Sequence, residues 1–174
     1  MIRLLGLGGA ALVATLAFNS IPLLAATNGN AVSKEDREFV RMAAQTGSAE
    51  TEAGELAQNS ARSDAVRELG RRLSQEHAQA NKELESLAAR LNIELPRQPD
   101  PKHRGDLQAL LKATGAEFDR LYVGQMIRDH EMAVKLFESQ IKHARNPELR
   151  QYAEKHLPML KGHLKMAKLS LIHI

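Results

Sequence analysis

The chain has 174 residues, a formal net charge of +3 and neither Cys nor Trp. This length suffices for one domain with a buried core, and the missing Cys excludes disulfides, a cysteine nucleophile and a lipoprotein anchor. Aromatic residues make up 3% of the chain and the charges are interspersed. The composition therefore predicts neither a base-stacking platform nor any other nucleic-acid-binding surface.

Residues 1–25 have the pattern of a secretory signal peptide. Arg3 supplies the positive charge, an apolar run follows it, and small residues around Ala25 offer a cleavage site. The apolar stretch is short for a membrane span and contains Gly, Asn and Pro, although a retained anchor is the alternative. We therefore expect a periplasmic or otherwise exported protein with no stable membrane insertion after cleavage.

Two amphipathic helices are predicted next. The first begins at Ser33, where Ser33 and Asp36 match a capping box, and its apolar stripe carries Glu50 at a core position. A short turn precedes the second helix, for which Ser63 can serve as the cap. Apolar positions of the second helix recur every three or four residues, and His77 occupies one of them.

The connection to the third long helix is rich in proline. Residues 92–105 are predicted to be non-helical, and a short helix is predicted over residues 107–113. Thr114 and Glu117 match a second capping box, which opens the third long helix. His130 lies in the apolar stripe of that helix.

Asn146 and Pro147 predict the start of the last helix, because Asn is a strong N-cap residue and proline suits the first helical position. Its apolar stripe contains His156 and His163. No segment shows the alternation of a β-strand. The pattern therefore predicts an all-α domain over residues 33–168.

The helix lengths predict which ionisable side chains lie at the same depth. His130 and His163 lie about sixteen residues on either side of the turn at Asn146, so they should face each other. The linker between helices 2 and 3 spans roughly twenty residues and can cross a bundle of about 40 Å. If it crosses, those helices run parallel and His77 joins the same layer. Glu50 is expected about one turn away from it.

Several segments resemble a known family, namely residues 49–57, 76–84, 118–122, 129–131 and 157–164. The family is domain of unknown function 4142, a group of exported bacterial proteins. The resemblance covers nearly all of the chain after the signal peptide. It implies a ferritin-like four-helix bundle with a long crossover between helices 2 and 3, located in the cell envelope, and it implies no activity. His156 departs from the family pattern, in which a small polar residue is usual at that position.

Residues 169–174 interrupt the charge pattern of the last helix. They match the conceptual translation of a transposase-type sequencing adapter. We expect them to be an artefact, and we expect the last helix to run further in the natural protein.

Ionisable side chains at apolar positions of four helices predict a buried metal site. Imidazoles with one carboxylate suit a single transition-metal ion such as Zn, Cu or Fe. The predicted ligands are Glu50, His77, His130 and His163, and the additional candidates are His156, Asp119, Tyr122, Met159 and Met166.

Copper has an argument of its own. His156 with Met159, and His163 with Met166, form two His-x-x-Met pairs one heptad apart. Thioethers and imidazoles together suit Cu(I). The alternative is that these methionines fill gaps at helix interfaces.

A metal-free polar layer is the alternative to the whole site. The histidines would then hydrogen-bond Glu50, Tyr122, Asp119 or Thr46 and fix the register of the helices. A carboxylate-bridged di-iron enzyme is not predicted, because such enzymes place Glu-x-x-His on two helices. Here the residues three positions before the histidines are Ser74, Ile127, Ala153 and Leu160.

Two functions from different classes follow. The first is an exported metal-binding protein connected with envelope or metal stress. The second is a structural or interaction bundle with a buried polar layer and no metal. No reaction and no protein partner is predicted.

Overall fold

The structure, a computed structural model, describes residues 31–174, apart from the side chain of His173. The predicted signal peptide, residues 1–25, lies outside the described residues. Helices account for most of the described chain, and no β-strand forms within it. The helices are α1 (Lys34–Ser60), α2 (Asp64–Arg90), α3 (Pro101–Lys112), α4 (Gly115–His143) and α5 (Pro147–Ser170), followed by a 3-10 turn (Leu171–His173). The predicted all-α class is confirmed.

Local sequence signals start α1 and α5 as predicted. Ser33 Oγ accepts a hydrogen bond from the backbone N–H of Asp36, and the Asp36 carboxylate accepts one from the N–H of Ser33, each at 3.0 Å. Asn146 Oδ1 accepts hydrogen bonds from the N–H groups of Glu148 and Leu149. These bonds satisfy donors that the first turn of a helix leaves without partners.

Two predictions about the connection between α2 and α4 were wrong. The helix α3 begins at Pro101 rather than at residue 107, because proline at the first helical position needs no N–H partner and Asp100 caps the helix. Thr114 makes no capping hydrogen bond, so the second capping box does not form. Gly115 follows Thr114 with a φ of 58°, a left-handed conformation that breaks the regular first turn a capping box requires.

Buried carboxylates join the helices at both ends of the bundle. Ser63 is the N-cap residue of α2, but the capping group is Asp119 of α4, whose two oxygens accept hydrogen bonds from the N–H groups of Arg62 and Ser63 at 2.9 Å each. At the opposite end, Asp36 of α1 accepts a hydrogen bond of 2.7 Å from the side chain of Gln140 in α4. These bonds fix how far α4 is displaced along α1 and α2.

The four long helices form a bundle in which every packed pair is antiparallel. The helix α1 packs on α2 and α4, and α5 packs on the same two helices, so α2 and α4 lie diagonally opposite. One apolar cluster joins the end of α1 and the start of α2 to the start of α4 and the end of α5, and a second cluster joins the opposite ends. The helices α2 and α4 are therefore parallel, and residues 91–114 cross the length of the bundle as expected. Among residues 31–174, no helix has the length and apolar character needed to cross a membrane.

The helices α1 and α2 approach each other closely at two glycines. A Cβ atom on Gly54 would lie 2.7 Å from the carbonyl oxygen of Gly70, and a Cβ atom on Gly70 would lie 2.6 Å from the Cβ atom of Ala57. These distances are shorter than side-chain contacts allow. Only glycine therefore permits this spacing of the two helix backbones.

Replacing Gly54 by Ala should destabilise the protein. Ala favours a helix over Gly by about 1 kcal/mol, but its methyl group would press on the backbone of α2, and overpacking of this kind costs about 1–3 kcal/mol. Urea unfolding measures the effect. Gly105→Ala is the control, because a Cβ atom there meets nothing within 4 Å, and it should stabilise α3 instead. Equal stabilisation by both substitutions would contradict the close approach.

Candidate metal centre

One ionisable side chain from each long helix meets in a layer between the two apolar clusters. The four residues are Glu50 of α1, His77 of α2, His130 of α4 and His163 of α5, and all are buried. The predicted shared depth of the three histidines is confirmed. Glu50 was predicted as the fourth member of this layer, about one turn off its level and within the error of the predicted helix boundaries. It lies within the layer, because its two carboxylate oxygens are each 3.1 Å from a histidine nitrogen.

The nitrogens of the three histidines converge on one point. His130 Nε2 is 3.3 Å from His77 Nε2 and 3.2 Å from His163 Nδ1. One nitrogen from each ring lies within 4.8 Å of the other two, which is the spacing of a metal-ligand set. Oε2 of Glu50 is 3.1 Å from His77 Nε2, yet neither oxygen of this buried carboxylate has a well-oriented hydrogen-bond partner among residues 31–174.

Hydrogen bonds outside the layer determine which ring nitrogens carry protons. His130 Nδ1 lies 2.8 Å from the carbonyl oxygen of Met126, and a carbonyl can only accept, so Nδ1 donates and Nε2 carries a lone pair. His163 Nε2 lies 2.9 Å from Oε2 of Glu76, whose other oxygen accepts a hydrogen bond from Arg72. His163 Nδ1 therefore also carries a lone pair. These two lone pairs face each other across 3.2 Å.

Burial disfavours a charge on each of the four side chains in the layer. Burial lowers the pKa of His130 to about 3 and lowers the pKa values of His77 and His163, and neighbouring imidazoles add to the effect on His77. Burial, followed by the negative charge of Asp129, raises the pKa of Glu50 well above its usual range. Without a metal ion, the layer is therefore most stable with neutral side chains.

A second set of charges borders the layer on the side of α3. Asp129 is buried, and its Oδ1 accepts a hydrogen bond of 2.7 Å from Lys102 Nζ, which also donates to Asp106. The positive charge of Lys102 acts on Glu50 in the direction opposite to that of Asp129. The crossover segment thus brings a charge-compensating group to the carboxylate of the layer.

Three additional candidates lie close to the layer. Tyr122 is buried, its hydroxyl group has no hydrogen-bond partner within the described part of the chain, and burial together with the charge of Glu50 raises its pKa. His156 Nε2 is 3.0 Å from a carboxylate oxygen of Glu83. His156 and Met159 both line a cavity that also reaches Glu50.

Two other candidates are engaged elsewhere. Both oxygens of Asp119 accept the hydrogen bonds that cap α2. Met166 packs against the apolar cluster that contains Phe118 and Ala167. The layer therefore brings together Glu50 and three histidines and does not include these two side chains.

The sequence carried a signal for the groups that surround the layer. An acidic residue precedes two of the core histidines, Glu76 before His77 and Asp129 before His130. Neighbouring residues on a helix point about 100° apart, which suggested a surface or supporting role for both acids. The structure gives each of them a partner on another helix, His163 for Glu76 and Lys102 for Asp129.

The chain belongs to the family described as Domain of unknown function (DUF4142), whose model matches residues 22–169. Its fold is similar to a DUF305 fragment from Deinococcus radiodurans, with a TM-score of 0.73 and 16% identity over 82% of this chain and 99% of that one. It is also similar to CopM in the Cu(I)-bound form, with a TM-score of 0.65 and 21% identity over 77% of this chain and 93% of that one, and to the Cu(II)-bound form, with a TM-score of 0.66. The TM-scores establish a shared helical-bundle fold, and the low identities carry no further conclusion. No protein with a curated description matches the chain.

The metal-free protein should lose stability as the pH falls below about 6.5, the reference value for His in an unfolded chain. The folded state lowers the pKa of His130 to about 3, so unfolding takes up a proton in the interval between these values. Each such group lowers the free energy of unfolding by about 1.4 kcal/mol for each pH unit within this interval. Urea unfolding from pH 7 to pH 4 measures the slope.

The variant His130→Gln should reduce the slope of this profile, because it removes one buried imidazole. The variant His143→Gln is the control, because His143 is exposed at the end of α4. It should keep the wild-type slope. Identical slopes for His130→Gln and the wild type would show that the buried imidazole does not govern acid stability.

Proposed function

We propose that the protein binds one transition-metal ion at Glu50, His77, His130 and His163. One observation carries the proposal: His130 Nε2 and His163 Nδ1 each hold a lone pair, and the two nitrogens face each other across 3.2 Å. Two lone pairs repel at this distance unless a cation lies between them. A proton is a poor candidate, because burial lowers the pKa of both rings. A metal ion accepts both lone pairs at once.

The separations between the three imidazole donors fit a tetrahedral metal ion. Glu50 contacts His77 but is not part of the set of donors within 4.8 Å of one another, and it would complete the coordination after a small movement. Metal–nitrogen bonds of about 2.0–2.1 Å in a tetrahedron place neighbouring ligand atoms roughly 3.3 Å apart. The nitrogen of His130 is 3.3 Å from that of His77 and 3.2 Å from that of His163, and an oxygen of Glu50 is 3.1 Å from that of His77. A metal ion would also give the buried carboxylate of Glu50 the partner that it otherwise lacks.

The surrounding hydrogen bonds support the same function. Metal-binding histidines usually donate their second N–H to a carbonyl or a carboxylate, which fixes the ring and raises its basicity. His130 donates its second N–H to the carbonyl of Met126, and His163 donates its second N–H to the carboxylate of Glu76.

The donor set is compatible with Zn, Cu or Fe, and we take copper as the first metal to test. Imidazoles suit all three metals. Copper is favoured by the similarity of the fold to CopM, whose structures are Cu(I)-bound and Cu(II)-bound forms. The signal-like pattern of residues 1–25 supports export to the periplasm, where such a protein would sequester or deliver metal under envelope or metal stress. No catalytic reaction is proposed.

The metal-free polar layer remains the second candidate. It is favoured by the contacts between His77, His130 and His163, which are short enough for hydrogen bonds. In that case a shared proton would join the rings, and the layer would act only on helix register. The two candidates differ in their response to added metal.

Metal should stabilise the wild-type protein. Free Cu(II) or Zn(II) at about 100 times its dissociation constant should add roughly 2.7 kcal/mol to the free energy of unfolding, if it binds the folded state alone. Thermal unfolding of untagged protein with and without metal, combined with metal analysis after dialysis, measures this. His130→Ala should abolish the gain, and His143→Ala, at the exposed end of α4, should retain it. An unchanged melting temperature with no retained metal would leave the polar layer as the function of these residues.

Glu50→Gln should separate stability from metal binding. The folded state raises the pKa of Glu50, so this group lowers the stability of the protein as the pH rises above the usual Glu value of about 4.3, and the loss is complete once the pH exceeds the raised folded-state value. The amide removes this penalty, and the metal-free variant should be more stable than the wild type, by more at pH 8 than at pH 5. Its metal affinity should fall by more than about tenfold, because an amide is a weaker ligand than a carboxylate.

Glu85→Gln is the matched control, because Glu85 is exposed on the adjacent helix α2. It should change neither the stability nor the affinity. A Glu50→Gln variant that binds metal as tightly as the wild type would remove Glu50 from the ligand set.

A further inference from the structure

A cavity of about 430 Å³ opens beside the metal centre. Glu50 and His77 lie on its inner wall, and residues from α1, α4, α5 and the crossover segment enclose it. His130 and His163 do not line it. The cavity therefore reaches the centre from the side of the carboxylate.

Three methionines line this cavity, and two of them are exposed. Met42 of α1 and Met132 of α4 have relative exposures of 39% and 51%, whereas Met159 of α5 is partly buried and also packs against the apolar cluster that contains Phe137. A methionine that fills a gap in a core is buried, as Met126 is in the apolar cluster near α3. Exposed methionines gathered at one cavity are better explained by their thioether sulfurs, which are ligands for soft metal ions.

A histidine with a ring nitrogen that is unpartnered within the described part of the chain lines the same cavity. His103 Nδ1 is 2.6 Å from Oδ2 of Asp100, and the carboxylate holds the proton on Nδ1. His103 Nε2 is buried and has no hydrogen-bond partner among residues 31–174. The carboxylate of Asp100 orients the ring of His103, as carboxylates orient metal-binding histidines, and leaves Nε2 as the ring nitrogen without a partner among the described residues.

The positive charges on the wall of the cavity are compensated. Arg41 donates two hydrogen bonds to the carboxylate of Glu38, and Lys102 pairs with Asp106 and Asp129. The remaining wall is largely apolar, with Ala43, Leu136, Phe137 and Leu160 among its residues. An apolar wall offers few polar groups to bind a divalent ion that keeps its water shell. A soft monovalent ion exchanges water for sulfur ligands readily.

Building on the proposed metal centre, we infer that this cavity is the path by which Cu(I) reaches Glu50 and His77. The thioethers of Met42, Met132 and Met159 and the free nitrogen of His103 act as transient ligands along the path. They accelerate uptake of the soft ion and contribute little to its final affinity, because the final ligands are the imidazoles and the carboxylate.

The test compares rates of metal uptake in the wild type and in a triple variant, Met42→Leu, Met132→Leu and Met159→Leu. Leucine keeps nearly the same volume and apolar character, so the fold should persist, and circular dichroism checks this. Transfer of Cu(I) from its bicinchoninate complex is followed by absorbance in a stopped-flow instrument. Transfer of Zn(II) from a coloured chelator is followed in the same way.

The triple variant should take up Cu(I) at least about tenfold more slowly, with a dissociation constant within about threefold of the wild type and an unchanged rate for Zn(II). His103→Gln should also slow Cu(I). Met166→Leu is the matched control, because Met166 packs against the apolar cluster away from the cavity, and it should keep the wild-type rates.

An unchanged rate of Cu(I) uptake in the triple variant would overturn the proposal that the cavity is the uptake path. Equal slowing of Cu(I) and Zn(II) would overturn the role of the thioethers, because a general obstruction affects both ions. A wild-type protein that binds neither ion would instead overturn the proposed metal centre, and the path with it.

Discussion

The central constraint on the structure is the contact of 3.2 Å between His130 Nε2 and His163 Nδ1. Neither of these two imidazole nitrogens carries a proton. Their remaining nitrogens already donate, one to the carbonyl of Met126 and the other to Glu76, so neither ring can turn to relieve the contact without losing a hydrogen bond. In a buried layer that loss costs about 1–3 kcal/mol. The helices must therefore be placed accurately enough to hold His130 and His163 in this position.

The bundle meets this requirement through constraints at its ends and along one seam. Asp36 ties α1 to α4 at one end of the bundle, and Asp119 ties α4 to the turn between α1 and α2 at the other end. Gly54 and Gly70 allow the backbones of α1 and α2 to approach closely. Apolar clusters above and below bury the layer. The long crossover has a role besides connectivity, because it makes α2 and α4 parallel and carries Lys102 to Asp129 beside the centre.

Apolar periodicity and turn chemistry were sufficient to predict the long helices, the crossover and the three histidines of the layer, because each signal is local or depends only on helix rise. The depth of Glu50 could not be predicted to within a turn, since it depends on how the turn before α2 closes. The start of α3 was missed because Pro101 was treated as a helix breaker, whereas proline also suits the first helical turn. The bond between Glu76 and His163 required knowledge of which helices are neighbours.

The summed charge of the proposed ligands determines which ion charge would leave the buried centre neutral. Three neutral imidazoles and an ionised Glu50 carry a formal charge of −1, so a monovalent ion makes the buried group neutral and a divalent ion leaves it positive. A net charge in a medium of low dielectric constant is costly unless a nearby group compensates it. Lys102 shares its single positive charge between Asp129 and Asp106, so these three groups keep a net charge of −1 beside Glu50, whereas Glu76 pairs with Arg72. The proposed centre would therefore hold a monovalent ion with no net charge of its own, and the negative set around Lys102 would compensate the second charge of a divalent ion.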